Sequence, residues 1–259
     1  MSGINHWSFN QRCWQVREQR RSKAWCRKAV VEGLRCAGSC VLLELSLHWL
    51  YPSAMQFYPQ LVWELSGWEL AGLGYCLTLL FYLKYLALYR LAGWVAGLEG
   101  LVLPHPPCCV SRIHLCSLLW RYFYHPLAGS KNSSNLRKAA ASSVCFGFVL
   151  VWHGWDKAVV VWCALNFVGV SLERWLLAPH TNWSVRLQAL VSSPFFLLMC
   201  LSSIFFLSNY DVGMVFIQRI ILSGFPIPLL PLLAIMYCGA QVSLHVQRLE
   251  LKRRFSSFP

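Results

Sequence analysis

Residues 149–173 read VLVWHGWDKAVVVWCALNFVGVSLE, two apolar runs that meet at His153, Gly154, Trp155 and Asp156. An ionisable side chain set between runs apolar enough for lipid is costly to bury, and it marks a functional site by default. The glycine beside it lets backbone come close to a ligand. What the break belongs to follows from the residues around it.

The chain is 57% hydrophobic and 13% charged, with 13 Trp and a mean hydropathy of +0.47, well outside the soluble globular average. Charge is absent from Leu187 to Tyr210 and from Ile220 to Gln247. Each run exceeds the roughly 20 residues that a helix needs to cross the hydrocarbon layer. Gly38–Leu50 and Ala71–Leu98 are interrupted by Glu44, His48, Lys84 and Arg90. Both still read as spans with snorkelling or paired polar groups.

Positive charge gathers at the ends of these runs rather than on one basic face. Arg12, Arg17, Arg20, Arg21, Lys23, Arg27 and Lys28 precede the first run, and Arg248, Lys252, Arg253 and Arg254 follow the last. The net charge of +13 is thus topogenic, and nucleic acid is not an expected partner. With both termini on the cytoplasmic side, the stretch around His153 must enter the membrane and return. Its arms, Ala139–Trp152 and Ala158–Leu172, are each roughly 22 Å long as helix, which is short for a span. The expected fold is an all-α integral membrane bundle, with four spans and one re-entrant or short helical hairpin whose apex is His153. A basic cytoplasmic segment 1–35 precedes the membrane domain 36–247, and a basic tail 248–259 follows it.

Most of the 12 cysteines lie in apolar runs without a Cys-x-x-Cys spacing, and they read as small buried hydrophobes. Cys108 and Cys109 differ, because they follow Pro104, His105, Pro106 and Pro107 in a loop beside the membrane. A lipid, a metal or a haem could attach there. His48 and His245 read as packing residues, whereas His153, at a break between Trp152 and Trp155, has the context of a general base.

The runs WHGWD and WCALNFVGVSLE, with FYLKYLALYRLAGWVAGLEGL, CVSRIH, WRYF and YHPLAGS upstream, resemble in order the C-terminal half of the Hedgehog acyltransferases. These enzymes form a branch of the membrane-bound O-acyltransferase family, and the similarity covers roughly residues 60–250. The resemblance implies a multi-pass protein of the endoplasmic reticulum or Golgi membrane. Its activity would move palmitoyl from palmitoyl-CoA to the α-amine of the N-terminal cysteine of a Hedgehog-family protein. His153 matches the family's membrane-embedded active-site histidine, which a paralogous branch lacks. As base it would take the proton of the attacking amine. Trp152, Asn166 or a backbone amide would then face the developing oxyanion, although Asn166 equally fits an interhelical hydrogen bond. Cys109 matches a family cysteine for which the resemblance implies lipid or haem attachment.

Three departures accompany the resemblance. The family's Asp-x-Gly-Leu-His segment has no counterpart between Phe123 and Tyr124, its N-terminal half is unmatched, and its Gly-Gly after the histidine is Gly154–Trp155. Without the Asp segment and the N-terminal half, the chain by itself is expected to be weakly active or inactive, and the competing expectation is a non-catalytic family relative that regulates or binds an acyltransferase, acyl-CoA or Hedgehog protein.

Overall fold

A computed structural model describes residues 23–101, 109–120, 135–177, 183–223 and 229–256, and among these there is no strand. In chain order the helices are α1 (Lys23–Trp49), α2 (Pro52–Met55), α3 (Pro59–Glu64), α4 (Gly67–Leu98), α5 (Asn135–His153), α6 (Lys157–Leu176), α7 (Val185–Leu207), α8 (Tyr210–Phe216) and α9 (Leu229–Ser256). A 3-10 turn forms at Val110–Arg112, a helical stretch at 116–120 and a π-helical turn at Ile217–Leu222. Four helices are long and apolar enough to cross a bilayer: Gly67–Leu98, Lys157–Leu176, Val185–Leu207 and Leu229–Glu250. Exposed Leu88, Val168, Leu190 and Val242 on them suit a lipid solvent. The helices satisfy their own backbone groups, as that solvent demands. The chain is an all-α polytopic membrane protein.

Residues 1–50 and 80–107 make one compact unit. Within it α1 runs beside the C-terminal half of α4. The Trp94 indole N–H donates to the Ala29 carbonyl at 2.9 Å and Arg90 donates to the Arg35 carbonyl at 3.1 Å. Gly33 permits this approach, because a Cβ there would lie 3.1 Å from Trp94 Nε1. The expected span Gly38–Leu50 needs correction. It is the second half of a 27-residue helix that also carries Lys23, Glu32 and Arg35, and it is not among the four membrane-crossing candidates. Its apolar part, roughly 20 Å as helix, is too short by itself to span.

Residues 51–79 and 108–259 make the second unit. Here α5, α6 and α7 form an antiparallel meander, whose register is read from Phe146 against Phe167, Asn166 against Ser202 and Trp162 against Phe206. Helix α9 packs on α7, where Gly239 lets Phe196 approach to 3.1 Å of where its Cβ would stand. At one end of this unit, Ser66 and Glu69 form a capping box on α4, with Ser66 N–H donating to Glu69 at 2.7 Å. Arg219 of the π turn donates to the Leu65 carbonyl at 2.7 Å and lies over the Trp63 ring. Asn209 caps α8 through Val212 N–H and donates to the Gln56 carbonyl.

The hairpin exists, but its arms are 19 and 20 residues long, roughly 28–30 Å, rather than short. The helices run on through polar residues at the opposite end, since Arg174 donates to Ser142 at 3.0 Å and Glu173 is buried and bonded. The lower arm is itself one of the four candidate spans. The uncharged run 220–247 is likewise not one helix. It begins in the π turn, and α9 starts only at Leu229, just after Pro226 and Pro228. The sequons at Asn132 and Asn182 lie outside the described residues. Both are expected to stay unglycosylated if the ends of α5, α6 and α7 nearest them face the cytoplasm. A mobility shift on endoglycosidase treatment that Asn182→Gln abolishes would contradict that topology.

Candidate active site at the helical hairpin

His153 is the last residue of α5. Gly154 follows at φ +94°, a left-handed conformation that glycine alone adopts without strain, and it turns the chain back. Asp156 then caps α6, accepting the Ala158 N–H at 2.9 Å. The HGWD sequence is therefore a stop, a turn and a start. It holds the imidazole at the tip of two packed helices.

The imidazole lies edge-to-face with two rings, Trp162 at 5.9 Å and Phe206 at 5.1 Å, each at 88°. Those rings stack on one another at 4.2 Å. The rest of His153 is exposed, so the expectation of a histidine buried in apolar surroundings holds on one side only. Trp152 is 75% exposed and stacks on Phe148 one turn back, and Trp155 is 72% exposed. Neither is drawn into the cluster that touches His153.

Asn166 is buried, 1% exposed, on α6. Its Oδ1 accepts the Trp120 indole N–H at 2.9 Å, and its Nδ2 donates to the Trp162 carbonyl at 2.8 Å and to Ser202 Oγ at 3.2 Å. Both amide hydrogens are thus committed, leaving none for an oxyanion. Of its two expected roles, the geometry matches the interhelical bond.

Two polar contacts that sequence reasoning did not single out fix the 109–120 segment. Glu173, 3% exposed, accepts the backbone N–H groups of Cys116 and Ser117 at 2.6 and 2.8 Å, capping the helical stretch 116–120 with a carboxylate from α6. An acidic residue ending an apolar run was the available signal. The fully buried Cys116 has its thiol pushed up by burial and by Glu173, which makes it a packing group. His114, 2% exposed, sits 2.8 Å from Ser243 Oγ on α9. Because that hydroxyl donates to the Arg112 carbonyl, His114 Nδ1 must be the donor to it. Arg112 also pairs with Glu250 at 2.5 Å. Cys109 is half-buried just before this turn, its carbonyl accepting the Arg112 N–H at 2.9 Å. Cys108 lies outside the described residues.

Burial pushes the His114 imidazole down from 6.5 to about 4. Between these values the unfolded chain binds a proton that the folded chain refuses, so stability falls as pH drops from about 6.5 towards 4. The loss should approach roughly 3 kcal/mol at the low end. Thermal melting in detergent across this pH range is expected to show the slope, and His114→Phe is expected to flatten it.

Residues 117–210 match the family model MBOAT, membrane-bound O-acyltransferase family. Mouse (Mus musculus) protein-cysteine N-palmitoyltransferase HHAT is 32% identical over 229 residues, which is 78% of this chain and 46% of that protein. Fruit-fly (Drosophila melanogaster) protein-cysteine N-palmitoyltransferase Rasp is 27% identical, over 74% of this chain and 43% of its own length. Mouse protein-cysteine N-palmitoyltransferase HHAT-like protein is 26% identical over 80% and 45%. The chain spans just under half the length of the relatives it matches.

Proposed function

We propose that this chain, which belongs to the membrane-bound O-acyltransferase family, serves protein-cysteine N-palmitoyl transfer with His153 as general base. The observation that carries this reading is the placement of an accessible imidazole at the tip of a packed membrane hairpin inside the matched region. The acyl donor is palmitoyl-CoA and the acceptor is the terminal amine of a protein beginning with cysteine, a Hedgehog-family protein by the resemblance. The working membrane is that of the endoplasmic reticulum.

The chemistry asks little of the base. A terminal amine has an ordinary pKa of about 7.7–8.0, so no strong base is called for. The amine nitrogen attacks the thioester carbonyl carbon, a C–N bond forms and His153 takes the proton. As the C–S bond breaks, the imidazolium returns that proton to the departing thiolate. A preorganised backbone amide near the hairpin tip would serve the oxyanion better than Asn166, whose hydrogens are spent. Transfer of labelled palmitoyl to a cysteine-initiated peptide tests the reading. Incorporation that is insensitive to His153→Ala would refute it.

Cys109 carries a second, smaller proposal, a thioester-linked acyl chain. Its neighbour Arg112 pairs with Glu250, the last residue of the candidate span in α9, which supports a place for this turn near the end of that span. Acyl-exchange labelling should detect the wild type and lose the signal in Cys109→Ser, and equal signals would remove the proposal.

A further inference from the structure

We infer that Trp162 and Phe206 are positioning residues that hold the His153 ring in one orientation for proton transfer, and that Asn166 acts through Trp162 rather than on the substrate. The inference rests on the proposed role of His153 and deepens it.

The three rings come from three helices, α5, α6 and α7. Centroid separations of 5.9, 5.1 and 4.2 Å place the imidazole beside the stacked pair rather than on top of it, standing at 88° to both planes. Rotation about the Cβ–Cγ bond of His153 would give up the perpendicular arrangement with both rings at once, so two aromatic neighbours favour one ring orientation more than a single one would. Such perpendicular contacts are favoured by the ring quadrupoles, each worth about 0.5–1.5 kcal/mol. The part of the imidazole that the two rings do not cover is exposed.

The grip is itself anchored. Trp162 is 8% exposed and touches Trp120 at 5.5 Å, and Trp120 meets Phe146 edge-on at 4.7 Å. Asn166 binds three members of this arrangement at once: the Trp162 carbonyl, the Trp120 indole and Ser202 on α7, the helix that bears Phe206. Its amide therefore fixes the relative position of α6 and α7 one turn below the Trp162–Phe206 stack. That is where a small displacement would tilt both rings.

Two measurements on the full chain in detergent or proteoliposomes test this. With histidine labelled at Cε1, the His153 signal, assigned by its loss in His153→Ala, should lie away from the exposed-histidine position because of the two ring currents. It should move towards that position in Trp162→Leu and Phe206→Leu and largely return in Trp162→Phe. An unchanged His153 signal in both leucine variants would overturn the inference.

In the transfer assay, Trp162→Leu should lower kcat by roughly 10- to 100-fold with KM nearly unchanged, the cost of misplacing a reacting group. The same substitution in a His153→Ala background should lower it little further, since there is no imidazole left to position. Fully additive losses would overturn the positioning role while leaving the base assignment intact. Equal rates for wild type and His153→Ala would instead refute the base, with the labelled-histidine spectra still deciding the grip.

Discussion

Replacing His153 by alanine is expected to lower palmitoyl transfer by roughly 10² to 10⁴, the contribution of a positioned acid-base group. That loss corresponds to about 2.7–5.5 kcal/mol of transition-state stabilisation. It should appear in kcat, because the imidazole acts on a proton that moves only as the amine attacks. Stability should change little: His153 ends its helix, is exposed and donates no described hydrogen bond, so its removal costs two ring contacts. A melting temperature lowered by a few degrees at most, with a collapsed rate, is the expected pairing.

Glu173→Ala should do the opposite, damaging structure first. The substitution leaves the Cys116 and Ser117 N–H groups without their acceptor and opens a void where a carboxylate stood. Buried donors stripped of a charged partner cost about 3–5 kcal/mol in total. The 109–120 segment should then detach locally before the helices separate. Cys116, fully buried in the folded chain, reports this directly. Its maleimide labelling should accelerate by roughly 100- to 4,000-fold in Glu173→Ala, since each 1.4 kcal/mol is a factor of ten. Glu173→Gln, which keeps one acceptor oxygen, should fall between. Equal labelling rates in all three proteins would show that the carboxylate does not hold the segment.

The hairpin was legible from the sidedness of the positive charge and from the two apolar runs that meet at HGWD. The means of the turn was not: the left-handed Gly154 and the Asp156 cap on the next helix are seen only in the structure. Helix ends were less legible. The arms outran their apolar cores because Arg174 finds Ser142 and Glu173 finds the Cys116 amide, partners 32 and 57 residues away that no local pattern announces. In the same way α1 starts among basic residues, and its apolar half looked like a span by itself.

Within the site, His153 stood out as an ionisable group between apolar runs. Trp162 and Phe206 did not, because an aromatic in an apolar run looks the same whether it faces lipid, core or a catalytic ring. Asn166 was visible as polar, but its role depended on Trp120 and Ser202, which only the packing of α6 on α7 brings together.

The most direct measurement is incorporation of labelled palmitoyl from palmitoyl-CoA into a peptide beginning with cysteine. It should be made in proteoliposomes, with the chain alone and together with the remaining length that its relatives carry. The same peptide with an acetylated N-terminus serves as control. The expected result is label on the free amine only, lost in His153→Ala. Robust transfer that persists after His153→Ala, or that proceeds equally on the acetylated peptide, would contradict the account.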